Sequence, residues 1–182
     1  MIKVELPLTK EVVKTLHAGD ELRLYGNLLT ARDAAHAKLV NLMQEKEALP
    51  VSLENQVIYY TGPTPTRPGQ LTGSAGPTTA GRMDAYSIAM MQAGITGMIG
   101  KGRRSQVVKE AMVAYGVVYM TAIGGGGAYL AQRIKSSEIL AYPELGPEAI
   151  RQLYVADFPV FVVNDVYGQD LYETGQQQYE KK

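Results

Sequence analysis

The stretch from Thr61 to Gly76 constrains this chain more than any other. It contains Gly62, Pro63, Pro65, Pro68, Gly69, Gly73 and Gly76. Proline removes the backbone donor that a helix or a sheet ladder needs, and glycine weakens both. The stretch therefore reads as a loop, and loops this long without structure of their own are uncommon and often functional. It runs straight into Pro77-Thr78-Thr79-Ala80-Gly81-Arg82-Met83-Asp84, and the spacing predicts a helix over 82–93. A loop feeding a helix start presents unpaired N–H groups and a positive dipole end, which suits an anion. Arg82 adds a guanidinium fork for a carboxylate or phosphate. The plainer reading of Thr78 and Arg82 is helix capping and a surface arginine. The Pro/Gly loop favours a site.

Strands and helices alternate along the rest of the chain. After an extended start, a short helix is expected over 9–16, with Thr9 as its cap. A turn at Gly19-Asp20 precedes a strand over 21–29, where leucines alternate with polar residues. A helix follows over 31–44 on the apolar face of Ala34, Ala35, Leu39, Leu42 and Met43. Further strands are expected at 56–60, 97–100, 117–121, 139–142, 153–155 and 160–163, with helices at 104–115 and from Gly124 to Arg133. From Gly175 the chain is a polar tail, expected to fray. The pattern is that of an α/β layered domain. We take residues 1–174 as one unit and 175–182 as the tail.

Composition limits the function. The 182 residues carry 18 basic and 18 acidic side chains, so the net charge is zero. That disfavours a nucleic-acid or anionic-membrane partner, although a local basic site remains compatible with it. No apolar run is long enough to span a bilayer, and the start, Met1-Ile2-Lys3-Val4-Glu5, lacks the apolar core of a signal peptide. A cytoplasmic location is the expectation. The chain has no cysteine and two histidines, His17 and His36, which are not at metal-ligand spacing.

Two nucleotide motifs fail when tested. Gly94 to Gly102 has Ile95 and Gly102 where a phosphate-binding P-loop needs glycine and Ser/Thr. The run Gly124 to Gly127 has Tyr129 in place of the last glycine of a dinucleotide fingerprint. Two other places hold polar groups at element ends. Thr30-Ala31-Arg32-Asp33-Ala34-Ala35-His36 sets Arg32 at a strand-to-helix junction, where it reads either as a site residue or as a surface pairing of Arg32 with Asp33 or of Asp33 with His36. Gly100-Lys101-Gly102 leaves Lys101 sterically open, as a site cation or a solvated turn lysine.

Taken in order, 30–36, Tyr60-Thr61-Gly62-Pro63-Thr64-Pro65, 73–84, 100–102 and Asp157-Phe158-Pro159-Val160 carry a resemblance. The series resembles the beta subunit of the class I fumarase / L-tartrate dehydratase family of iron–sulfur hydro-lyases, a unit that also forms the C-terminal domain of single-chain class I fumarases. It covers about residues 3–173. Gln169 departs from it, standing where an asparagine is common.

The resemblance implies a swivelling β/β/α layered domain. It also implies reversible addition of water to a small dicarboxylate, such as fumarate to malate. It implies a [4Fe–4S] cluster with one open iron for the substrate hydroxyl. Such clusters are held by cysteine thiolates, and none is present, so the cluster is expected on a cysteine-containing alpha subunit. The pair would form a hetero-oligomer, and the isolated chain could self-associate. By resemblance, Arg32, Arg82 and Lys101 bind substrate, and Thr78 matches a threonine proposed as catalytic base, which would act as an alkoxide held by nearby cations and helix-end dipoles or else only orient the substrate. Asp33, His36 and Thr79 would stand behind them. Two other classes stay open: a non-catalytic anion-binding module and a purely structural partner subunit. The sequence does not separate fumarate from tartrate.

Overall fold

A computed structural model of the chain describes residues 1–179. The elements are β1 (Ile2–Glu5), α1 (Lys10–Val13), β2 (Glu21–Thr30), α2 (Asp33–Glu45), β3 (Val57–Tyr59), a 3₁₀ turn (Ala80–Met83), α3 (Asp84–Gln92), β4 (Gly97–Gly100), α4 (Gln106–Tyr115), β5 (Val118–Thr121), α5 (Gly127–Ala131), β6 (Ile134–Ala141), a second 3₁₀ segment (Pro143–Glu148), β7 (Ile150–Asn164) and α6 (Leu171–Tyr179).

The strands form one sheet that closes into a small barrel. Its order is β1-β2-β3-β4-β5-β7-β6, and β7 also pairs with β2. The ring β2, β3, β4, β5, β7 is thereby complete: the first four run parallel and β7 returns antiparallel between β5 and β2. β1 and β6 extend the ring at β2 and β7.

Side-chain alternation along each strand separates two cores. Leu28, Val57, Tyr59, Ile99, Val118 and Met120 join Phe158 and Val160 in one buried cluster inside the ring. Their neighbours Leu29, Ile58, Tyr60, Met98 and Tyr119 join the other cluster, against Leu39 of α2, Met90 of α3 and Met112 of α4. One flank of the barrel is thus covered by helices.

The elements differ from the sequence expectation mainly at their ends. Thr9 does cap α1, accepting from the Val12 N–H at 3.5 Å. The helix expected from Arg82 begins at Asp84, because Ala80–Met83 takes the tighter 3₁₀ form. Helix α4 starts at Gln106 rather than Arg104, whose side chain is buried beneath the preceding turn. The two short strands expected at 153–155 and 160–163 are one strand of 15 residues, continuous across Pro159, which pairs in register with Arg23 of β2. β6 begins at Ile134, well before the expected 139, and its exposed Lys135, Ser136 and Glu138 hide it from an apolar pattern. The tail expected from Gly175 starts inside α6, and residues 180–182 lie outside the described residues.

Candidate active site

The residues singled out in the sequence follow the carboxyl ends of neighbouring parallel strands. Arg32 and Asp33 follow β2, Gly62 follows β3 and Lys101 follows β4. Ligands in parallel sheets gather at such ends, where loops diverge. The structure gathers the candidates into two adjoining groups.

Asp33 is the centre of the first. Its Oδ1 accepts from Arg82 Nε at 3.1 Å, and its Oδ2 lies 3.1 Å from Arg82 Nη2. Arg32 Nη2 lies 3.9 Å from the same Oδ2 and 3.6 Å from Glu148 Oε1. The Arg82 side chain is 55% exposed and Asp33 30%. These pairs are therefore partly wetted, and Asp33 occupies the Nε/Nη2 edge of the half-exposed Arg82 guanidinium. Arg32 is less exposed, at 22%, and its Nε is buried with no hydrogen-bond partner. Gly62 makes room for it: a Cβ at that position would lie 2.7 Å from Arg32 Nη1.

His36 lies under Arg32. Its backbone N–H and its ring Nδ1 both approach the Arg32 carbonyl, at 2.9 and 2.8 Å. The ring sits edge-on to Tyr60 and stacked on Tyr86. Burial pushes its pKa down to about 4, so the imidazole is neutral, and the carbonyl requires the proton on Nδ1. His36 touches the backbone of Arg32 rather than pairing with Asp33.

The second group is joined through backbone. Thr78 N–H donates to the Tyr60 carbonyl at 2.7 Å, Lys101 N–H donates to the Thr78 carbonyl at 3.0 Å, and Ala80 N–H donates to the Lys101 carbonyl at 2.8 Å. Thr79 and Lys101 form a parallel bridge. The loop therefore runs as a short extra ladder between the ends of β3 and β4. Gly100 permits the approach: a Cβ there would lie 2.9 Å from the Tyr60 ring, 3.0 Å from Ala80 Cβ and 3.2 Å from the Thr78 carbonyl oxygen. Thr78 is half-buried, and Thr79 and Lys101 are exposed. The N–H groups of Thr78 and Ala80 are consumed by these bonds and are not free for an anion.

Sequence reasoning missed Glu148, whose Oε2 accepts the Ala34 N–H at 2.8 Å across 114 residues of sequence. Nothing local marks it. It also missed Arg104, which pairs with the Asp84 of the quoted 73–84 string at 2.7 Å. A cleft lies beside the site, lined by Thr64, Gly73, Ser74, Gln132 and Lys135 among others, but by none of the seven candidates.

The chain is a member of the family described as Fumarase C-terminus, whose profile matches residues 1–175. It is 47% identical over 154 residues to "Fumarate hydratase class I, aerobic" of Escherichia coli (strain K12), covering 84% of this chain and 28% of that protein. It is 42% identical over 177 residues to "Fumarate hydratase 2" of Leishmania major, covering 94% of this chain and 31% of that protein. It is 37% identical over 181 residues to "Putative L(+)-tartrate dehydratase subunit beta" of Methanocaldococcus jannaschii, covering 96% of this chain and 93% of that protein. The chain thus spans less than a third of the two fumarate hydratases and nearly all of the beta subunit.

Proposed function

We propose that this chain is the beta half of a hydro-lyase that adds water to, or removes it from, a small dicarboxylate, most directly fumarate and malate. The observation that carries the reading is the convergence of Arg32 and Arg82 on Asp33, beside a ladder that ties Thr78 to Lys101. A dicarboxylate brings two negative charges, and desolvating them without cations is prohibitive. Arg82 offers to one carboxylate the Nη1 edge that Asp33 leaves, and Arg32 and Lys101 supply the remaining positive charge. Asp33 spans the fork and sets its angle.

Removing a proton beside a carboxylate builds charge on that carboxylate, so fixed cations there stabilise the transition state more than the ground state. Thr78 takes or returns this proton in our reading. A threonine hydroxyl is a very weak base, and it does so as an alkoxide held by the neighbouring cations. Thr79, Asp33 and His36 hold the geometry. The helix layer on one flank of the barrel supports a swivelling β/β/α arrangement, in which this wall turns to meet a second one.

The family resemblance brings a [4Fe–4S] cluster, and the residues of this chain do not fit it. The sequence has no thiolate donor, and the described residues contain no cluster of His, Asp and Glu placed to hold a metal ion. We assign the cluster to a cysteine-containing alpha subunit that faces the wall. When bound there it supplies a Lewis acid for the substrate hydroxyl.

A tartrate substrate is the second reading, and the near full-length match to a protein named as a tartrate dehydratase beta subunit favours it. The test is anaerobic hydration of fumarate and dehydration of malate and L-tartrate, by this chain alone and with its alpha partner. Activity in the mixture alone is expected, and the preferred substrate decides between the two. A cluster-loaded, stably bound partner that turns over none of them overturns the reading in favour of a structural subunit. Dicarboxylate affinity in the absence of any partner, without turnover in its presence, favours a simple anion-binding module.

A further inference from the structure

We propose that the pair of buried Arg104 with half-buried Asp84 fixes Arg82 and Lys101 relative to each other, so that both members are positioning residues for the dicarboxylate site; the inference rests on the reading of that site given above. Arg104 stands three residues beyond Lys101, and its side chain has 0% exposure. Its Nε donates to Asp84 Oδ1 at 2.7 Å, its Nη2 donates to Ser87 Oγ, and its Nη1 lies 3.3 Å from Met98 Sδ. The guanidinium faces the rings of Tyr60 and Tyr119, with centroids 5.7 and 5.2 Å away. The other Asp84 oxygen accepts the Ser105 N–H at 2.7 Å. Ser87 passes the connection on, donating to the Met83 carbonyl at 2.8 Å.

The consequence is a frame closed at two ends. On one side, Lys101 is bonded through its backbone to Thr78 and Ala80. On the other, Arg104 and Ser105 grip Asp84 and, through Ser87, Met83. Arg82 lies in the span between the two sets of bonds, and Lys101 is held in the first of them. A slip of the α3 start against the end of β4 would break one set or the other.

Stability alone is a poor account of this pair. Desolvating two charges offsets most of their attraction, and apolar replacements of similar volume are often neutral or stabilising. The groups against the guanidinium, Met98 and the rings of Tyr60 and Tyr119, are buried and could accept such a replacement. A guanidinium fork adds direction, which apolar contacts leave loose.

The test uses the assembled complex with Asp84→Asn, Arg104→Met and the double variant. Each single variant strands a buried charge or donor and is expected to lower Tm. The double variant is expected to recover much of that loss. Its kcat/KM for hydration is nevertheless expected to stay down by about a hundredfold, the scale of a misplacement of about 1 Å in a site, with KM raised, and Arg104→Lys does not rescue it. A double variant with wild-type kcat and KM, in a complex that Arg82→Ala and Lys101→Met each cripple, overturns the inference and leaves the site reading intact. Wild-type kinetics in Arg82→Ala and Lys101→Met overturn both. Should the double variant fail to assemble, Ser87→Ala carries the test. A raised KM at nearly unchanged Tm supports the frame, and unchanged kcat and KM overturn it.

Discussion

Asp33 serves two arginines, and what each loses on mutation differs. Arg82 faces both Asp33 oxygens, so Arg82→Lys keeps the charge and loses the fork. A large fall in turnover is expected with the complex still assembled, and steady-state kinetics alongside gel filtration check it. Unchanged kinetics would remove Arg82 from the site. Arg32 instead depends on the space left by Gly62. Gly62→Ala is expected to push its guanidinium aside and raise the dicarboxylate KM, since the added methyl would overlap Nη1.

His36 gives a pH signature of stability. Its folded pKa, about 4, is depressed from 6.5 by burial. Above pH 6.5 it is neutral in both states and no penalty arises. As the pH falls toward 4, the unfolded chain takes up a proton that the folded chain refuses, so stability declines, by at most about 3 kcal/mol. Chemical denaturation between pH 7 and 4 should show this slope in the wild type and a shallower one in His36→Asn. Arg32, Asp33, Arg82 and Lys101 were legible as short strings, because each sits at an element end with its motif around it. Glu148 was not, since its partners are assembled only by tertiary folding.

Among the elements, α2 is the instructive one. Its N-cap position holds Arg32, whose side chain makes no capping bond. The Ala34 N–H is satisfied by Glu148 from the second 3₁₀ segment. Glu148→Ala is expected to cost about 1 kcal/mol, as loss of a helix cap does, and to lower Tm by about 2–4 °C for a chain of this size. It also frees Arg32 from one acid, so thermal melting and substrate KM should move together. Most strands were readable because the apolar residues of the ring are nearly continuous, as in Val57 to Tyr60 and Val117 to Met120. β6 was shortened in the reading because one edge strand with exposed polar residues has no such run. The two pieces of β7 cannot be joined from sequence, since Pro159 brings no N–H to a ladder, while the ladder to β2 carries the chain past it.

The closure of the sheet could not be read from sequence at all. It depends on β7 touching β2 and β5 at once, two strands distant from each other along the chain. Closure also fills the middle of the molecule. Tyr59 and Phe158 meet edge-to-face at a centroid distance of 5.4 Å inside the ring, and Tyr59 spans to the Ala75 carbonyl at 2.5 Å. A barrel packed in this way is a plug, not a conduit. On the reading proposed above, small acids do not pass through this packed ring and reach the site from the face that a second wall would cover. In such a two-walled enzyme each turnover needs the walls to part. The rate of hydration at saturating substrate should fall as viscogen is added, in the way of a reaction timed by a hinge rather than by a bond.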